Sequence, residues 1–250
     1  MAENPMINKC LYQAEKLHKG VVYGGGLVML DQVVRTADVL KESLEGSEAE
    51  KSKAVCVALL HKCFEPKRIS EGVEPLTIEQ VAHLGGAEVA RVVAELATEP
   101  AESDSMSKAR AYIVNEANIE KYLKDASEGV KQFFKDSLNP SIAEAECPKK
   151  TKAEEWQEKA EWAKTLSPLA QQVLLAEKVV NYEVSRDRPN MKKPLSWHKE
   201  YYETRQLMVE AIKEASPELY KVACQTKAEG LKQINMRVMA EQQRSGGRSM

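Results

Sequence analysis

Residues 47–66 read SEAEKSKAVCVALLHKCFEP, and every local signal in them is helical. Ser47 followed three positions later by Glu50 is a capping box, in which each side chain satisfies a backbone N–H that a helix start would leave orphaned. Ala54, Val57, Ala58 and Leu60 then recur at helical spacing, His61 follows them, and Pro66 stops the run because its ring clashes with the preceding turn and it lacks an N–H.

Working outward, the same grammar repeats. Asn4 and Pro5 open a first helix over 5–19 with Ile7, Leu11, Ala14 and Leu17 on one face. Gly24-Gly25-Gly26 interrupts it and reads as a turn; a phosphate-cradling loop would need a preceding strand, and none is visible. Leu27, Leu30, Val34, Ala37 and Leu40 mark the next helix. Thr77 with Gln80 caps a short one, and after Gly85-Gly86 another carries Val89, Val92, Val93 and Leu96 to Pro100. Residues 101–107 (AESDSMS) read as a loop.

From about 117 to 166 the chain is highly charged, is broken at Asn139-Pro140 and Cys147-Pro148, and has few anchors beyond Phe133, Phe134, Trp156 and Trp162. This segment is expected to be a helical insertion standing outside the main bundle. Ser167-Pro168 opens a strongly apolar helix to about Val184, Pro194 precedes another over Trp197–Ala215, and Ser216-Pro217-Glu218 opens the last. The expected class is therefore all-α: one helical domain over residues 1–241, followed by a disordered tail over 242–250.

Composition narrows the function classes. Among 250 residues, 36 Lys and Arg against 38 Asp and Glu give a net charge of −2, so no global field recruits nucleic acid or an anionic membrane. Five cysteines, odd in number and without CxxC spacing, argue against a disulfide framework or a structural zinc site. No apolar run approaches the roughly 18 residues that a membrane span needs. The expected location is the cytosol or an organellar matrix.

Four segments, taken in order, resemble the (p)ppGpp hydrolase branch of the HD superfamily, meaning the hydrolase domain of RelA/SpoT enzymes and the stand-alone MESH-type hydrolases. They are A-E-K-L-H-K-G with the Gly-rich turn and T-A-D-V-L; Ala58-Leu59-Leu60-His61 with Glu65; Ala87 to Thr98; and Ser167 to Pro189 with the W-H-K-E-Y-Y-E that begins at Trp197. The match covers roughly residues 10–115 and 167–230. It implies an HD-domain helical bundle in which a His, a His-Asp pair and a later Asp hold one divalent ion, Mn2+ in the active family, whose bound water attacks the 3′-pyrophosphate.

In this chain the four ligand positions fall on Gln32, His61, Lys62 and Glu177, with Asp31 next to the first. An ammonium has no lone pair for a metal and places a positive charge where a dication would sit. The family's water-positioning Glu-Asp pair is Glu65-Pro66 here. Val21 and Tyr23 replace a Gln and an Arg that shape the nucleotide site, Tyr23 being a residue able to stack on a base. Lys178 and Asn181 keep their family identity.

The resemblance thus implies a catalytically inactive HD-fold pseudoenzyme, with no metal or other cofactor, acting as a binding or scaffold module for a protein partner or larger assembly. His61, Lys62, Glu65, Glu177 and Gln32 are its vestigial catalytic set. Tyr23, Lys62, Lys178 and Asn181 are the candidates for contact with a phosphorylated guanine nucleotide. The alternative is a Mn2+-dependent (p)ppGpp 3′-pyrophosphohydrolase with altered ligands. Read without the resemblance, His61 is an ordinary core histidine, His18 and His83 are structural or exposed, and Trp156 and Trp162 anchor an appendage.

Overall fold

The computed structural model describes residues 4–23, 27–100, 116–137, 150–189 and 192–246, and among these the chain is all-helical apart from one small hairpin. In order, the helices are α1 (Pro5–His18), α2 (Met29–Ser43), α3 (Glu48–Leu60), α4 (Ile78–Gly85), α5 (Ala87–Ala97), α6 (Glu116–Tyr122), α7 (Glu128–Ser137), α8 (Lys152–Lys164), α9 (Pro168–Asp187), α10 (Leu195–Ala211) and α11 (Pro217–Gly246).

The caps form as the sequence predicts. Asn4 accepts from the Met6 N–H at 3.0 Å with Pro5 at the first helical position. Both halves of the Ser47/Glu50 and Thr77/Gln80 boxes are made. Gly86, between α4 and α5, has φ +91°, a conformation that glycine adopts without steric cost and other residues avoid. It turns the chain sharply enough for α4 and α5 to pack on each other.

Two helices carry the centre. In α3 every residue from Ala54 to Leu60 is buried, so it has no solvent face in its second half; it is covered by α1, α2 and α5. α9 buries residues over most of its circumference and lies between α2 and α11, touching α3, α5 and α10 as well. One continuous hydrophobic cluster, from Cys10 in α1 to Ile234 in α11, joins them.

Three findings depart from the sequence reading. Val22–Tyr23 and Leu27–Val28 form a two-residue antiparallel hairpin, Val22 opposite Val28 and Tyr23 opposite Leu27, where only a turn was expected. Strands this short carry no alternation to detect. The last helix continues to Gly246, past residue 241 where a disordered tail was expected to begin, because Glu, Gln and Arg at 241–244 propagate a helix that no Pro interrupts; residues 247–250 lie outside the described part. The expected loop at 101–107 also lies outside it.

The third departure concerns the insertion. Ile119, Leu123, Val130 and Phe134 are buried in the common core, as are Trp156 and Ala163. α6 packs on α4 and α5, while α8 lies along α10. Trp162 donates its indole N–H to Thr98 Oγ1 at 2.9 Å. The described part of this segment is thus integrated into the bundle rather than standing off it, since a stripe of small and aromatic side chains on an otherwise charged helix is enough to dock it.

Candidate functional site

The end of α3 brings His61, Lys62 and Glu65 into one turn, and α9 presents Glu177, Lys178 and Asn181 to it. Most of this group is withdrawn from water: His61, Glu177 and Lys178 are buried, and only 12% of the Lys62 side chain is exposed. The His61 Nδ1 donates to the Ala58 carbonyl at 2.6 Å, which turns Nε2 toward Glu177, 3.5 Å from Oε2. That gap is long for a hydrogen bond, and neither atom has a hydrogen-bond partner among the described residues.

Lys62 settles the electrostatics. Its Nζ lies 3.0 Å from Glu65 Oε1 and 3.6 Å from Glu177 Oε2. Lys178 Nζ and Asn181 Nδ2 each approach the other Glu177 oxygen at 3.3 Å. Gln32 on α2 donates to Asn181 Oδ1 at 2.9 Å, closing the cluster from a third helix. Burial by itself would raise the Glu177 carboxyl, but Lys178, Lys62 and His61 outweigh it and hold it well below the usual carboxylate range. Burial would likewise strip the proton from Lys62, and Glu177, Glu65 and Glu99 reverse this, leaving it a firmly protonated ammonium.

Of the residues singled out in the sequence, Gln32, His61, Lys62, Glu65, Glu177, Lys178 and Asn181 converge in this cluster. The Tyr23 side chain lies outside the described part of the structure, and His83 is exposed. Five further participants, Glu99, Lys159, Arg68, Trp156 and His18, were not assigned to the site from the sequence. Glu99 pairs with Lys159 at 3.0 Å, and although burial pushes its carboxyl up, Lys159, Lys62 and Lys178 bring it below the ordinary value. Arg68 approaches Glu65 at 3.5 Å. Trp156 receives Lys178 and Lys159 over its ring, 5.5 Å and 5.2 Å from the centroid.

His18 is the fifth. Of the two readings, structural or exposed, the structural one holds, for it is fully buried; Nδ1 donates to the Arg68 carbonyl at 2.6 Å, and Nε2 has no hydrogen-bond partner among the described residues. Burial lowers its pKa first of all, with His61 and Lys62 adding to the effect, so it is held neutral.

These residues do not fit a divalent ion. A metal at this point would share Glu177 Oε2 with an ammonium already 3.6 Å from it, and Gln32 turns its amide N–H toward Asn181. Lys62, Arg68, Lys159 and Lys178 face Glu65, Glu99 and Glu177, four positive groups against three negative, so the cluster holds no excess of negative charge for an added cation to offset. Among the described residues no three His, Cys, Asp or Glu side chains are grouped as metal ligands would be. No helix among them is long and apolar enough to cross a membrane. Set against protein-family models, curated proteins and solved structures, the chain matches none of them.

Proposed function

We propose that this chain is a catalytically inactive relative of the HD-domain (p)ppGpp hydrolases, in which an internal ion-pair network stands at the position of the metal, and that it serves as a binding or scaffold module. One observation carries the reading: the Lys62 ammonium lies between Glu65 and Glu177, at hydrogen-bond distance from the first and 3.6 Å from the second. A water activated for attack needs a Lewis acid or a free base beside it. Here both carboxylates are engaged by lysines, and that of Glu177 is held well below the usual carboxylate range.

The same contacts weigh against a retained phosphorylated-nucleotide site at the cluster. Lys178 and Asn181, the two candidates that keep their family identity, both point at Glu177, so a phosphate would have to displace a carboxylate to reach them. The supported role is therefore interaction with a protein partner or larger assembly, on a scaffold that the network stiffens.

Metal content and turnover test this together. The purified protein is expected to contain no stoichiometric manganese, iron or zinc and to leave ppGpp intact when manganese is added. The double substitution Lys62→Asp with Gln32→His, which restores the ligand types of the family, is expected to gain manganese binding, read as a manganese-dependent rise in Tm. Wild-type hydrolysis that His61→Ala abolishes would overturn the proposal in favour of an active enzyme with rearranged ligands. A double variant that folds yet shows no response to manganese would remove the argument for descent from a metal site.

A further inference from the structure

A second feature lies along the line where α8 meets α10. A groove of about 240 Å3 opens there, floored by Trp156 from α8 and by Trp197 and Tyr201 from α10. Trp197 and Tyr201 are four residues apart, so they stand one above the other on the same helix face. Their rings are stacked at 5.7 Å between centroids. The next residue on that face is Arg205, whose guanidinium is sandwiched, 3.5 Å from the Tyr201 centroid and 4.7 Å from that of Trp156.

Sandwiching satisfies the faces of a guanidinium and leaves its edge. Arg205 has five N–H donors, and its hydrogen bond to the Tyr201 carbonyl, at 3.2 Å, uses one of its terminal nitrogens. Among the described residues no carboxylate is within ion-pair distance of Arg205 or of Lys152, the other cation lining the groove, and no cation is within that distance of the two acids lining it, Glu155 and Glu200. Elsewhere on the molecule comparable side chains do find each other, as Arg35 finds Glu183 at 2.9 Å and Lys53 finds Glu88. Here two positive and two negative groups surround one aromatic floor and remain apart.

We propose that this groove binds a small zwitterion carrying a flat ring, of the class of a free aromatic amino acid. The faces of Tyr201 are taken by Arg205 and Trp197, so the ring packs edge-to-face against the side of the Trp197–Tyr201 stack, the carboxylate takes the edge of Arg205 with Lys152 nearby, and the ammonium lies toward Glu155 and Glu200. Size agrees: an apolar cavity of about 150 Å3 already accepts a benzene ring, and the remaining volume suits the two charged groups. Charge agrees as well, because a simple anion would meet two carboxylates and a simple cation would meet Arg205 and Lys152. The inference does not depend on the reading of the buried cluster; Trp156 is the residue common to both places.

Three probes separate the contributions: L-phenylalanine has ring and both charges, 3-phenylpropionate lacks the ammonium, and phenethylamine lacks the carboxylate. Titrating each into the full-length protein while following tryptophan emission should give saturable quenching, tightest with L-phenylalanine. Replacing Trp162 by Phe beforehand confines the signal to Trp156 and Trp197. Arg205→Gln is expected to weaken L-phenylalanine and 3-phenylpropionate about tenfold or more, the usual worth of a charged hydrogen bond, and to change phenethylamine less than about twofold. Glu200→Gln should do the reverse. Should Arg205→Gln fail to fold, Lys152→Gln and Glu200→Gln, both at exposed positions, carry the same comparison. Absence of saturable quenching by L-phenylalanine, or a loss of equal size for all three probes in each variant, would overturn the assignment.

Discussion

Glu177 is the residue on which four others converge: His61, Lys62, Lys178 and Asn181 all direct a polar atom at its carboxylate. The partners are unequal. If Lys62 is lost, Glu177 retains Lys178, and Glu65 retains Arg68 at 3.5 Å, so Lys62→Met should cost about 1 kcal/mol. If Glu177 is neutralised, Lys178, with 5% of its side chain exposed, keeps a charge in the interior with no other carboxylate among the described residues at ion-pair distance. Breaking a buried pair in this way costs about 3 kcal/mol. Urea unfolding of Glu177→Gln and Lys62→Met should show that order, and the opposite order would mean that Lys62 holds the cluster. Part of this arrangement is legible in the chain, since His61, Lys62 and Glu65 share one turn while Glu177 and Asn181 are four apart on a helix. His18, Glu99 and Lys159 are not, because each sits on a different element and only the packing of those elements brings them to the same place.

Among the elements, what could be read was whatever is decided within a few residues: the capping boxes of α3 and α4, the prolines that open α1, α9 and α11, and the wide apolar arc of α9. The docking of α8 could not, because KAEEWQEKAEWAK is dominated by charge and its buried set of Trp156, Lys159, Ala160 and Ala163 includes a lysine and two small residues. The contact of α11 with α10 is equally silent in sequence. Gly230 lies where Tyr202 of α10 meets α11, and a Cβ added there would collide with the phenol ring. In an open helix Gly→Ala gains about 0.5–1 kcal/mol. At this position Tyr202 is fully buried and cannot retreat without moving Tyr182, whose ring centroid is 5.2 Å from its own. Gly230→Ala should therefore destabilise the protein by about 1–3 kcal/mol, the usual cost of overpacking, as read from denaturant midpoints. A stabilised variant would show that α11 lies less closely on α10 than described.

For the molecule as a whole, the decisive question is whether the segment from α6 to α8 belongs to the cooperative unit. Its charge and its broken pattern suggested an arm that the bundle could lose. Its contacts say otherwise: Ile119, Leu123, Val130 and Phe134 are in the common core, Lys159 neutralises Glu99, Trp162 bonds to Thr98, and Trp156 stacks on Arg205. Removing residues 116–164 would uncover the buried faces of α5 and α10 and leave Glu99 without Lys159, losses set against a total stability that for domains is usually roughly 5–15 kcal/mol. The intact chain is expected to unfold in a single transition, with tryptophan emission and helical circular dichroism changing together. The deletion, bridged by a short Gly/Ser linker, is expected to keep helical signal while losing near-UV dichroism and gaining dye binding, the marks of a compact state without fixed packing. A deletion variant that retains a sharp transition at the wild-type urea midpoint would restore the arm and separate Trp156, with the groove it floors, from the stability of the bundle.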